Sequence, residues 1–168
     1  MLYAVDGIWG VIVDNVVYGA GAKSSVIKTY SADSLVPLGE DIHVDGMRCN
    51  WDIVACRHDG QLFIADDGCV WHVSVDDRSY VKWLSTDDAF HIFRLSVTSG
   101  HLLVTSHPPS LRQYSLADGR LLRVVCMPDC VKELYQGVET TRGTFMICHQ
   151  GTSHDPKQTA VSRLLPYE

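Results

Sequence analysis

The sequence predicts an all-β chain made of repeated four-stranded units, and three observations predict it. Trp9, Trp51 and Phe93 stand 42 residues apart, and Tyr135 continues the series. Behind each aromatic, short apolar runs alternate with turns rich in Asp, Asn and Gly. Helical periodicity is nearly absent: residues 129–134 have room for one turn, and no long i, i+3, i+4 apolar stripe occurs.

The elements follow in order within each copy. The first strand is Val11-Ile12-Val13, Ile53-Val54-Ala55, Leu95-Ser96-Val97 and, after a one-residue slip, Val138-Glu139-Thr140. Each ends at a tight turn, Asp14-Asn15, Asp59-Gly60, Ser99-Gly100 or Arg142-Gly143, whose residues tolerate the positive φ of a two-residue hairpin. The second strand is Val16-Val17-Tyr18, Leu62-Phe63-Ile64, Leu102-Leu103-Val104 and Phe145-Met146-Ile147. After a small or polar break comes a third strand, over 26–30, 70–73, 111–114 and 160–164. Three copies then carry an acidic turn and a fourth strand, Leu35–Leu38, Tyr80–Leu84 and Leu121–Val125. The last copy stops after its third strand.

Four short meandering strands per unit of about 42 residues is the pattern of a β-propeller blade. Such a sheet has two apolar faces and covers them by stacking on its neighbours. The chain is therefore expected to form a single propeller domain over 1–168. Its blade-like repeats fall at about 8–44, 50–85, 92–127 and 135–168, with residues 1–6 as a strand of a preceding blade. With the fourth strand of the last copy missing, an incomplete arc of a larger propeller is expected over a closed four-bladed ring. An arc leaves apolar flanks, which predicts self-association.

Within this frame the stretch Trp51–Leu84 resembles an NHL-type repeat. The family pattern runs from an apolar strand through an Asp-Gly turn and a strand ending in Asp to a valine-centred third strand and an acidic turn. Here these are Ile53-Val54-Ala55, Asp59-Gly60, Leu62–Asp66, Val70–Val73 and Asp76-Asp77. The other copies depart from it, with Ala20, Ser106 and His149 where Asp66 stands. The resemblance implies the broad class of six-bladed NHL and TolB-like propellers.

Composition narrows the function. The 168 residues are 46% hydrophobic and 20% charged, which supports a core and excludes disorder as the main state. A net charge of −6 argues against a generally basic nucleic-acid binder. No apolar run approaches the roughly 20 residues that span a bilayer, and the first residues lack a signal peptide's basic start, so the chain reads as cytoplasmic. The six cysteines, in a chain without secretory features, are expected to be reduced thiols.

Candidate binding residues come from two sets of loops on one face, 20–23, 66–68, 106–110 and 149–155 after the second strands and 45–50, 86–92 and 129–134 between copies, where a rigid scaffold carries variable chemistry. Asp66 and Asp67 form the sharpest pair: a carboxylate site for a cation or hydroxyl, or a strand end that accepts N–H groups. His107 and His149 lie in the equivalent loops. No cofactor is expected. Calcium needs about six to eight oxygens in one place, and the other copies supply no second carboxylate. Zinc needs close Cys/His pairs, and Cys126 and Cys130 have no second pair nearby. The tryptophans are read as packing wedges between blades.

No G-x-S-x-G, H-E-x-x-H or P-loop occurs. The expected function is thus a non-catalytic scaffold that binds a protein partner through its loop face. The alternatives are a metal-dependent hydrolase or lyase of the gluconolactonase-like propeller type, and an RNA-binding NHL domain.

Overall fold

Period-two apolar patterns broken by turn residues leave the chain one economical solution, the antiparallel meander. The computed structural model describes residues 8–56, 59–86, 91–98, 100–129, 131, 133–150 and 159–164. Among these residues there are fifteen strands, β1–β15, and no helix. They form two compact units, 1–85 and 86–168. The expected preceding strand at 1–6 and Cys130 lie outside the described residues.

The first unit holds two four-stranded sheets, β1(Ile8–Val13)-β2(Val16–Gly21)-β3(Val26–Ser31)-β4(Ile42–His43) and β5(Asp52–Cys56)-β6(Gln61–Asp66)-β7(Cys69–Ser74)-β8(Tyr80–Ser85). Strand β5 packs on β1 and β2. Ile27, Val44, Ile53, Leu62, Ile64 and Trp71 make the core between the sheets, and Trp9 packs against it. The Asp14-Asn15 turn has φ of 44° and 66°, as a type I′ hairpin requires.

The fourth strand of the first sheet corrects the sequence reading. Residues 35–38 meet β3 only through the antiparallel Tyr30–Pro37 bridge, with Ser31 N–H to Val36 O (3.0 Å) beside it, and the strand itself is β4, Ile42–His43. Pro37 has no N–H to give a ladder, and Leu35 (φ 56°) and Gly39 (φ 73°) turn the chain. Leu38 N–H still bonds Thr29 O (2.9 Å), while the Asp41 carboxylate accepts Thr29 N–H (3.1 Å) in place of a backbone carbonyl.

The second unit holds the sheets β9(His91–Thr98)-β10(His101–His107)-β11(Ser110–Ser115)-β12(Leu121–Cys126) and β13(Leu134–Glu139)-β14(Phe145–Gln150)-β15(Thr159–Leu164). Strand β13 packs on β9 and β10. The core is Leu103, Leu111, Val131, Leu134, Phe145 and Ile147. A bulge on β13 between Leu134 and Gln136 explains why the fourth copy reads one residue out of step. The described part of 129–134 contains a single turn bond, Val131 N–H to Pro128 O (2.8 Å).

The repeats share a hydrogen-bond signature. β3, β7 and β11 each end in serine, and Ser31, Ser74 and Ser115 donate their N–H to the carbonyl five residues on (2.9–3.0 Å). The next residue, Ala32, Val75 or Leu116, donates to the hairpin turn between the first two strands, at Asn15, Gly60 or Gly100.

Two predictions arise from this packing. Gly137 is where β13 approaches the third sheet: a Cβ there would lie 2.7 Å from Leu111 Cδ1. Leu111 is fully buried and has no room to retreat. Gly137→Val is expected to destabilise by about 2–3 kcal/mol through overpacking, and Leu111→Ala in the same chain to restore part of it. Urea unfolding measures both.

His72 on β7 stacks on Phe63, with centroids 4.9 Å apart and planes at 9°. Its Nε2 is buried without a partner among the described residues. Burial holds the His72 imidazole below the usual histidine range, with Asp59 pulling the other way. Protonation is then easier in the unfolded chain. The stability linked to His72 is complete above about pH 6.5 and falls as the pH drops below it. The urea midpoint should fall from pH 7.5 to 5.5, and His72→Phe should shrink that difference.

Candidate functional site

In the first unit, a connection of eight residues, Val44–Trp51, joins the first sheet to the second. A loop of this length needs fixed points to hold a shape, and two buried polar side chains provide them. Asp66, at the end of β6, is 3% exposed. Its carboxylate accepts Cys49 N–H (2.6 Å), Arg48 N–H (3.1 Å to Oδ2), Asp67 N–H (2.8 Å) and the Trp71 indole N–H (2.9 Å). Asn50, 1% exposed, donates through Nδ2 to Gly21 O (2.9 Å) and Ser24 O (2.7 Å) in the β2–β3 turn. The loop is thus tied at Arg48-Cys49 to the β6–β7 turn and at Asn50 to the β2–β3 turn.

These anchors fix the backbone while leaving side chains in solvent. Arg48 is exposed, Trp51 is 38% exposed, and Lys23 on the β2–β3 turn and Asp67 beside Asp66 are exposed. Cys69 lies beneath, and burial, helped by the Asp66 charge, pushes its thiol up to about 11. It is an inert packing group at neutral pH.

The four sequence candidates fall into different settings. Asp66 is buried among N–H donors, and Asp67 is exposed on the same turn. His107 is exposed at the end of β10. His149, on β14, is 3% exposed, with Nδ1 2.7 Å from Gln150 O and Nε2 2.9 Å from Ser162 Oγ. The carbonyl can only accept, so Nδ1 carries the proton and Nε2 accepts from the serine, which uses both ring nitrogens. Among the described residues no group of three His, Cys, Asp or Glu is placed to hold a metal ion. The described cysteines, Cys49, Cys56, Cys69, Cys126 and Cys148, are in no disulfide with one another. No helix among the described residues is long and apolar enough to cross a membrane.

Sequence reasoning placed Arg48 and Asn50 in a candidate loop, 45–50, without singling them out, and read Trp51 as a packing wedge. The available signal was Asn50, which stands where the neighbouring copies have Ile8 and Ile92. A polar residue replacing a repeat-conserving isoleucine beside an aromatic marks a position with another task.

No family model matches the chain, and no curated protein matches it. Solved structures do. The computationally designed Ika4 protein matches with a TM-score of 0.67 at 15% identity, covering 92% of this chain and 89% of that one. The WD40 β-propeller domain of Doa1 matches with a TM-score of 0.61 at 16% identity, covering 84% of this chain and 46% of that one. The β-propeller domain of Cps50 (Swd1) from Myceliophteria thermophila matches with a TM-score of 0.62 at 9% identity, covering 90% and 55%. The fold is that of a β-propeller, and the chain spans about half the length of these two natural propeller chains.

Proposed function

We propose that this propeller chain is a non-catalytic scaffold that binds a protein partner, and that the connection Val44–Trp51 is its docking loop. The observation that carries the reading is the double anchoring of that loop by Asp66 and Asn50 beneath an exposed tryptophan and arginine. Trp and Arg are the residues that most often dominate binding energy at protein interfaces. A loop fixed before binding loses little conformational entropy on association. The NHL-type resemblance of Trp51–Leu84 falls on the sheet that carries this loop. The protein-binding role of WD40-type propellers, to which the fold is similar, supports the same reading by analogy.

Photo-crosslinking tests it. A photoreactive residue replacing Arg48 in the full chain, expressed in cells, is expected to trap a discrete protein adduct. The same residue replacing Val81, on the outer edge strand β8, is expected to trap none. The purified partner should then bind Trp51→Ala about 10-fold or more weakly, with circular dichroism unchanged. Equal trapping at both positions, or unchanged affinity of Trp51→Ala, overturns the reading.

A further inference from the structure

The last sheet carries a second feature, at the end of β14 opposite to His149. The hairpin joining β13 to β14 runs Thr140-Thr141-Arg142-Gly143-Thr144, closed by Gly143 N–H to Thr140 O (2.9 Å) and Thr140 N–H to Thr144 O (2.8 Å). Beside it lies an open depression of about 290 Å³, lined by Thr140, Thr141, Arg142, Thr144, Met146 and Arg163. Strand alternation explains this lining. Thr140, Thr144, Met146 and its cross-strand partner Arg163 share one face, whereas Glu139 and its partner Phe145 share the other.

We infer that this depression binds a phosphate monoester. The charge distribution is one-sided. Along the described β13–β15 hairpins the ionised side chains are Glu139, Arg142 and Arg163, and Glu139 is turned to the opposite face, where Arg123, His101 and Gln113 surround it. Glu133, bonded to Tyr135, lies beside Gln150 at the far end of β13 and β14, so the charged groups that line the depression itself are arginines alone. Neither Arg142 nor Arg163 makes an ion pair among the described residues. Two guanidinium groups lining one concavity match the oxygens of a phosphate by charge and by planar two-donor geometry.

The threonines complete the donor set. Thr140 Oγ1 and Thr144 Oγ1 lie 2.7 Å apart, and Thr144 N–H donates to Thr140 Oγ1 (3.3 Å). One hydroxyl proton is used between the two, so whichever donates, the other keeps a proton to give to a ligand oxygen. The volume suits one phosphate and a few further atoms, since drug-sized ligands take about 300–1,000 Å³. Met146, 43% exposed, gives that further group an apolar wall, which favours an esterified phosphate over the free ion.

The test is an NMR titration of the full chain with phenyl phosphate, inorganic phosphate and phenol. Phenyl phosphate is expected to shift the amides of 140–144 and 163, to saturate, and to bind about 10-fold tighter than inorganic phosphate, with phenol silent. The exposed double variant Arg142→Gln/Arg163→Gln should lose at least 10-fold in affinity with its remaining spectrum unchanged. Equal binding of both phosphates supports the oxyanion site and assigns it to the free ion. Three results overturn the inference: no response at these amides, a response kept by the double variant, or a single-stranded RNA that binds these residues over 10-fold tighter than phenyl phosphate. Sedimentation showing that a second copy covers this face, with phenyl phosphate failing to compete, overturns it as well.

Discussion

Asp66→Ala is expected to lower stability by about 4 kcal/mol, because it strands several N–H donors that the carboxylate now satisfies in a buried site. The donors are the backbone N–H groups of Arg48, Cys49 and Asp67 and the indole of Trp71. Trp71 belongs to the core of the first unit, so the loss does not stay in the loop. In a chain of this size such a change lowers the thermal midpoint by roughly 10 °C. Asp66→Asn is the sharper control: it keeps the shape but turns one acceptor into a donor facing other donors, and it too should be strongly destabilising. A loss under about 1 kcal/mol for either variant, measured by urea unfolding, would show that the loop finds other acceptors.

The second large effect is expected at Glu139, the centre of a polar cluster between the third and fourth sheets. Its side chain is 9% exposed. Gln113 Nε2 (2.7 Å), His101 Nδ1 (3.1 Å) and Thr98 Oγ1 (3.3 Å) meet its Oε2, and Arg123 Nη2 (3.4 Å) meets its Oε1. Arg123 Nε donates to Gln113 Oε1 (2.7 Å), which fixes the amide so that its nitrogen faces Glu139. That nitrogen also lies 2.9 Å from His101 Nδ1, which accepts from the amide when unprotonated and donates to Glu139 when protonated. Arg123 also lies over the Phe145 ring at 4.5 Å, which ties it to the core. Glu139→Ala leaves a half-buried guanidinium and a buried amide without their acceptor, and should cost about 3 kcal/mol. Arg123→Met should be milder, and the double variant should cost less than the sum of the two. Hydrogen exchange should rise in β13–β15 and stay unchanged in the first unit; protection unchanged throughout would refute the role given to Glu139.

Turn chemistry and period-two patterning made most of the strands legible. Asp14-Asn15 announced a hairpin, and β6, β7 and β14 lie where alternating apolar residues put them. The fourth strand of the first sheet was not legible, because Leu35-Val36-Pro37-Leu38 is apolar enough to look like a strand. What decides against it is tertiary, the Asp41 carboxylate capping Thr29 N–H from twelve residues away. Trp9 and Trp51 look equivalent at the repeat spacing, yet Trp9 packs on the core and Trp51 is 38% exposed. Periodicity reports where a backbone goes. It does not report that Asn50 has spent the preceding position on tying a loop. Of the candidate residues, the alternatives for Asp66 could be written down from sequence, but the donors that surround it come from residues 17 and 18 positions earlier and could not.

The bond from Asn50 to the carbonyls of Gly21 and Ser24 also sets an order on synthesis. When the chain has left the ribosome as far as residue 44, the first sheet can pair its strands, yet its β2–β3 turn lacks the amide that later closes it. That amide belongs to a loop held by Asp66 and, through it, by Trp71. The first sheet therefore waits for the second, and these two sheets are expected to gain protease resistance together, once residues near 71 have emerged.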